Sequence, residues 1–545
     1  MDKKDILIIG GGLAGVTAAV EALDNGLSVR LLDRGKAERF GGLANWAFGG
    51  IFYVDSPFQR KNGFQDSPEL AFNDWCSAAE FGPEDHLPKK WAEQFVSRTT
   101  AEVYEWLKPR NIKYIPSVQW AERGIAKQGN SVPRFHLVWG SGKQLVQTLI
   151  RNLREHPMSH LLDIHFEHKV EDLQTTNDQI TGVSGTDLST GKVFLYEAAV
   201  TVLAAGGITG SVEKVKEHWH PDFGTPPAHM LTGSHLVADG QIHGVASKAG
   251  AQITHLQHQW NYAGGVHHPK GDHEFHGLSL VPPKTAVWVN YKGKTIGPNP
   301  MVTGFDTRNL VEQISKQEKK YSWQVTNYKI AKKELGVSGS TYNHALREMN
   351  KWGFAKTILF GNKGLLNEMI ETCKDFVVAT NLDELVVKMN ALTGTQDMDV
   401  NTLKKSIHQF DEMMLVGKDS QDPYIRMLEK LRENKGDRFR LANYGPIQNP
   451  GGMPFVAMRE FILTRKSMGG LQTNLESQVL DQEGKVMDGL YAVGEVAGFG
   501  GGGIHGKRAL EGTFLGNCIF NARVAIQSIL GKGVKNEGSP VAQKA

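Results

Sequence analysis

Cysteine is scarce: Cys76, Cys373 and Cys518 are the only three in 545 residues. They form no CxxC, no CxxCH and no ferredoxin-type run, which excludes a disulfide framework, a c-type haem and an iron–sulfur cluster. A reducing, cytoplasmic setting is the expectation. An excess of one charge is also lacking. With 61 basic against 58 acidic residues the net charge is +3, too little for a broad field that would draw in a nucleic acid or an anionic membrane. No apolar run reaches the roughly 18 residues of a membrane-spanning helix. Lys3 and Lys4 ahead of an apolar stretch imitate a secretion signal, but cleavage there would cut through the glycine motif described next.

Glycine is what the chain has in excess, with 61 of 545 residues, about 11 % against roughly 7 % in ordinary usage. Residues 5–34 read DILIIGGGLAGVTAAVEALDNGLSVRLLDR. A buried strand over 6–9 runs into Gly10, Gly12 and Gly15 in GxGxxG spacing. An alanine-rich helix follows, Gly26 ends it, and a second strand over 29–32 finishes at Asp33. In such a βαβ unit Gly10 permits the tight turn, Gly12 lets a pyrophosphate approach the main chain, and Gly15 lets helix and strand pack closely. The helix N-terminus then offers N–H groups and positive dipole to the phosphates. Asp33, 18 residues beyond Gly15, is placed for ribose hydroxyls and repels a 2′-phosphate, which disfavours NADP. A second glycine-rich segment, GGLANWAFGG (41–50), suits main chain passing a flat, bulky group.

With VTVLAAGGI (200–208) and GLYAVGEVAGFGGGG (489–503), these segments resemble the FAD signature of the superfamily of fumarate reductases and 3-ketosteroid Δ1-dehydrogenases. SVPRFHLVWGSG (131–142), TRKSMGGLQTNLESQVL (464–480) and GEVAGFGGGGIHGKRALEGTFLGNC (494–518) narrow the likeness to the ketosteroid-dehydrogenase-like FAD-binding dehydrogenases, over nearly the whole chain. The resemblance implies an α/β fold: a Rossmann-like FAD-binding domain of the GR2 type, split by an inserted α+β cap that carries substrate. Here that places the FAD domain at 1–255 and 451–545 and the cap at 256–450, the cap including helices near 383–392 and 402–414. The last dozen residues are expected to fray. The resemblance further implies FAD contacts at Leu13, Ala14, Arg34, Gly41, Gly42, Ala44, Ala47, Gly49, Gly50, Val170, Ala205, Gly206, Asp239, Glu495, Gly512, Thr513 and Leu515. Relatives with covalent FAD attach it through a His in the second glycine segment; 41–50 has none, so non-covalent FAD is expected.

Desaturating a carbon–carbon bond beside a carbonyl requires a base for the α-hydrogen, an acceptor for the β-hydride and donors for the developing enolate. By resemblance the helix expected around 505–516 points its N-terminus at the flavin, with Gly512 and Thr513 in contact. Arg508 stands where ketosteroid dehydrogenases have a carbonyl-polarising Tyr; otherwise it is a loop arginine paired with Glu495 or Glu511. His505 matches a substrate-contacting His of fumarate reductases, or is an interior His bonded to main chain. Tyr262, beside Trp260, is the candidate for proton transfer. Arg134 and His136 precede a Gly-Ser-Gly turn in a segment that lies near substrate in fumarate reductases. Lys329 stands loosely where those enzymes place a proton-donating Arg. Eleven of the twenty histidines lie between His218 and His276, but without Cys or Asp at ligand spacing no metal is expected.

These readings favour an FAD-dependent enzyme acting on a CH–CH bond next to the carbonyl of a ketosteroid or other cyclic ketone, in either direction. One alternative is an enoate or fumarate-type reductase; another is a flavin-binding protein without turnover. The electron partner would be external: a quinone, oxygen or a redox protein.

Overall fold

The computed structural model describes residues 3–337 and 341–531; the polar C-terminal dozen expected to fray lies outside the described residues. The chain divides into two compact units. One comprises Met1–His218, Ser234–Trp260 and Lys466–Ala545, the other Trp219–Gly233 and Asn261–Arg465.

The first unit is built on an eight-stranded sheet. Strand Lys4–Ile9 lies at its centre, parallel to Val29–Leu32 on one side (Ile6 opposite Val29) and to Val193–Leu203 on the other (Ile9 opposite Leu203). Both faces of this strand are covered, so Ile6, Leu7 and Ile8 are fully buried, as a parallel sheet requires. Helix Leu13–Asp24 is buried from Leu13 to Leu23, which explains its run of alanine and valine in place of an amphipathic stripe. Strand Val486–Ala492 returns the chain beside Val193–Leu203. Helix Thr513–Ile529 closes the unit. It begins later than the glycine run because Gly498, Gly500, Gly501, Gly502, Gly506 and Gly512 all hold positive φ, conformations a helix cannot contain.

The second unit has its own eight-stranded sheet, with the long strand Phe455–Ser467 next to Tyr321–Asn327 and Gln259–His267. Helices Leu382–Thr393 and Val400–Val416 belong to it. The sequence expectation drew its limits at 255/256 and 450/451, whereas the compact units change over at 260/261 and 465/466. Trp219–Gly233 joins the second unit because Leu231 and Thr232 pair with Leu463 and Thr464. No helix among the described residues is long and apolar enough to cross a membrane.

Candidate functional site

Strand Lys4–Ile9 ends at Gly10, whose φ is +111° and where a Cβ would lie 2.4 Å from the carbonyl oxygen of Ala204. A Cβ on Gly15 would lie 1.9 Å from the Gly10 carbonyl oxygen. The fold itself therefore demands these two glycines. Gly12 is different: it caps helix Leu13–Asp24 without any side-chain cap, and a Cβ there would meet nothing within 4 Å. The protein leaves open the one position where a pyrophosphate needs bare main chain beside a helix N-terminus that includes Leu13 and Ala14. The residues present thus fit the phosphate-bearing part of FAD.

Asp33 follows strand Val29–Leu32 and accepts the Gly11 and Gly35 N–H groups, each at 2.6 Å. Burial pushes its carboxyl up, against the lowering effect of those two donors. Arg34 pairs with Asp239 at 2.8 Å. The Gln241 N–H in turn donates to Asp239 at 3.1 Å, and its side-chain amide donates to the Val170 carbonyl at 2.7 Å. Three expected FAD residues from distant segments thus share one hydrogen-bonded chain.

The second glycine segment runs against the first turn. The Gly41 N–H donates to the Gly11 carbonyl at 2.8 Å, and a Cβ on Gly42 would lie 3.2 Å from Gly12 Cα. Gly49 and Gly50 answer to packing: added Cβ atoms would meet the Gly142 nitrogen at 2.5 Å and the Phe135 ring at 1.9 Å. Ala44 and Ala47 face Gly142, where a Cβ would come within 2.5 Å of the Ala44 carbonyl oxygen and 2.8 Å of Ala47 Cβ. Ala205 and Gly206 follow strand Val193–Leu203, Ala205 against Gly10 and Gly206 beside Ala238. Glu495 accepts the Ser467 N–H at 2.8 Å. Leu515 lies half-buried in the first turn of helix Thr513–Ile529.

At that helix's start Gly512 (φ +95°) is the cap residue, and its carbonyl accepts the Phe52 N–H at 2.9 Å. The Thr513 hydroxyl donates to the Leu510 carbonyl at 2.6 Å, so the His505 Nε2 contact at 2.9 Å assigns the imidazole proton to Nε2. His505 is fully buried, stacked on Trp75 and flanked by Phe499 and Phe514. Burial, helped by the nearby Lys466 charge, brings its pKa down to about 3, so the ring is neutral and its Nδ1 is an acceptor with no partner among the described residues. Its Nε2 bond is to the Thr513 side chain and not to main chain. Lys466 itself sits over the Phe514 ring at 4.0 Å, and Trp260 Nε1 donates to Glu511 at 3.1 Å.

Two residues expected near substrate make their hydrogen bonds within the chain. Arg134 is fully buried and binds Asp66 with Nε and Nη2, each at 2.8 Å, and Asp74 with Nη1 at 2.6 Å. His136 bonds the Ser56 hydroxyl at 2.7 Å through Nε2 and the Arg134 carbonyl at 2.8 Å through Nδ1, and burial lowers its pKa to about 4. Both side chains are spent on holding the segment together. Arg508 pairs with Glu80, an acid that was not among its expected partners Glu495 and Glu511, and burial lowers the arginine's pKa. Tyr262 belongs to the second unit, half-buried against the cluster of Leu231, Phe461 and Leu463. Lys329 is exposed on helix Tyr328–Glu334 of that unit. Among the described residues, Asp272, His273 and His276 alone bring three ligand-type atoms together, and Asp272 already bonds His276 at 2.8 Å.

Fold and site together define an FAD-dependent oxidoreductase. The FAD binding domain family matches residues 5–515. The chain is 39 % identical over 541 residues to the KsdD-like steroid dehydrogenase of Mycobacterium tuberculosis, covering 96 % of this chain and 94 % of that protein. It is 36 % identical over 533 residues to the one of Mycolicibacterium smegmatis, covering 94 % and 96 %. The fold is shared with 3-ketosteroid Δ1-dehydrogenase from Sterolibacterium denitrificans (TM-score 0.69, 15 % identity, 98 % of this chain and 100 % of that one). It is also shared with a flavocytochrome c3 fumarate reductase (TM-score 0.67, 20 % identity, 97 % and 78 %). The chain belongs to the FAD binding domain family.

Proposed function

We propose that the protein oxidises, or in reverse reduces, a CH–CH bond next to the carbonyl of a ketosteroid or related cyclic ketone. FAD, held without a covalent link, supplies the two-electron acceptor for the β-hydride. The α-proton passes to a base, for which Tyr262 is our candidate, and the electron pair left behind closes the carbon–carbon double bond. Arg508, oriented by Glu80, is the proposed donor to the substrate carbonyl as enolate charge develops. Gly512, Thr513 and the helix N-terminus they open are the proposed contact with the flavin.

The observation that carries this reading is that the nominated arginines already have acid partners and the nominated histidine is uncharged. Arg134 and Arg508, the arginines that the carboxylate-reductase alternative would need, already pair with acids, and His505 is uncharged among Trp75, Phe499 and Phe514. A small unsaturated carboxylate needs cationic contacts; a neutral ketone does not. The relatives named steroid dehydrogenases, 36–39 % identical over almost the whole chain, support the same choice. Electrons would leave to a quinone, oxygen or a redox protein in the cytoplasm, where Cys76, Cys373 and Cys518 stand as free thiols.

The test is anaerobic bleaching of the oxidised flavin band with a panel of 3-ketosteroids, cyclohexanones and succinate, followed by offering the matching enones to reduced protein. Bleaching by ketosteroids, or reoxidation by their enones, is expected. A response confined to succinate and fumarate would favour the carboxylate reductase, and a response to none but oxygen would favour a protein without turnover.

A further inference from the structure

Helix Lys351–Phe360 of the second unit, KWGFAKTILF, has no buried residue. Trp352 is 89 % exposed, Phe360 68 % and Leu359 56 %, and Met349 just ahead of the helix is 42 % exposed. At about 100° per residue the exposed side can be reconstructed. Leu359 and Trp352 lie within about 20° of one another at its centre, Ala355 beside them. Lys351 falls on one flank, and Lys356 with Phe360 on the other. Phe354, Thr357 and Ile358 occupy the half-buried side. A surface helix of a globular protein turns its apolar stripe inward; this one turns its largest apolar side chains outward and brackets them with lysines. The two aromatics alone leave on the order of 300 Å² of apolar-rich surface open, as much as the largest patch of a typical monomer.

Its charges all have one sign. The helix contains Lys351 and Lys356 and no acid; from 347 to 363 there are four basic residues (Arg347, Lys351, Lys356, Lys363) against Glu348, a net of 4 − 1 = +3. The helix C-terminus is tied down by Lys333, whose ammonium donates to the carbonyls of Ile358 and Leu359 at 2.7 and 2.9 Å, so the surface is fixed in place. A chain with no broad field overall thus carries a local basic rim around an aromatic and aliphatic centre.

We propose that this helix docks the protein on an anionic lipid surface, lying in the interface with Trp352, Leu359 and Phe360 among the acyl-chain ends and Lys351 and Lys356 at the phosphate level. With its inner side packed on the protein, the helix is apolar on both sides; its outward side offers the two contributions on which interfacial binding depends, apolar area to bury and cationic charge for anionic lipid. Charge decides against the other occupant of matching shape, a second copy of this chain, since a two-fold contact would set the same lysines against one another. This docking requires no spanning helix and is independent of the chemistry proposed above.

The experiment is flotation of the FAD-loaded full chain with vesicles of phosphatidylcholine alone or with about one-third phosphatidylglycerol. Binding is expected on the anionic vesicles, falling at least about tenfold on neutral ones and in about 0.5 M salt. The double variants Trp352→Ser with Leu359→Ser, and Lys351→Glu with Lys356→Glu, should each weaken it at least about tenfold while keeping flavin content and melting temperature. Should the first pair fail to fold, the lysine pair decides alone. Three results overturn the proposal: no binding to anionic vesicles, binding that survives the variants, or a solution dimer that the variants dissociate without any effect of lipid.

Discussion

Replacing Gly12 by alanine separates what the fold needs from what the cofactor needs. The new methyl would meet no protein atom within 4 Å, and the backbone there (φ −74°, ψ −177°) is one any residue adopts. Loss of unfolded-state freedom favours alanine by about 0.4–1 kcal/mol; alanine's poorer capping of helix Leu13–Asp24 takes back a similar amount. Apoprotein stability should therefore stay within about 1 kcal/mol of the parent. If a pyrophosphate fills that open space, the same methyl forces a packed contact apart at about 1–3 kcal/mol, a roughly fivefold to 150-fold rise in the FAD dissociation constant. Gly15→Ala is the opposite control. Its Cβ would lie 1.9 Å from the Gly10 carbonyl oxygen, a backbone atom that cannot swing away, so the apoprotein itself should lose about 3 kcal/mol or more. The assay pairs urea unfolding of the apoproteins with titration of FAD by quenching of its fluorescence. Parental FAD affinity in Gly12→Ala, or an apoprotein as weakened as Gly15→Ala, would refute the assignment of Gly12 to the phosphates.

Arg134→Ala leaves Asp66 and Asp74 as uncompensated buried charges and should cost about 3–5 kcal/mol of stability; a variant as stable as the parent with only a raised KM would return Arg134 to the substrate. Arg508→Ala should slow flavin reduction by substrate at least about tenfold in stopped-flow, and an unchanged rate removes it from the chemistry. Glu460 is fully buried, neither carboxyl oxygen has a partner among the described residues, and burial pushes its pKa well up. The folded state then holds a proton that the unfolded chain releases above about pH 4.3, so stability falls as pH rises from there toward the raised folded value. Glu460→Gln should abolish that slope, with its melting temperature gaining on the parent's steadily between about pH 5 and 8; parallel curves would falsify the neutral-acid reading.

What could be read from the sequence is what neighbours in sequence decide. Gly10, Gly12, Gly15 and Asp33 announce a strand–turn–helix–strand because each acts within one turn of the chain, and even there the sequence could not tell that Gly12, unlike Gly10 and Gly15, stands open. The charge state of the candidate site was hidden for the converse reason. Arg508 finds Glu80 across 428 residues, at a position whose φ of +52° turns the chain after helix Pro68–Ala79. Arg134 finds Asp66 and Asp74 in segments that carry no motif of their own. A sequence displays a cation and is silent on whether folding has already neutralised it, yet that is what separates a carboxylate site from a ketone site. The same silence covers Lys351–Phe360: its composition reads as an ordinary core helix, and only the fold reveals that Trp352 and Leu359 face outward. Motif reading is therefore strongest for a cofactor held by main chain and weakest for a substrate held by side chains, because the first requires shapes that glycine encodes locally and the second requires charges whose partners are chosen by the fold.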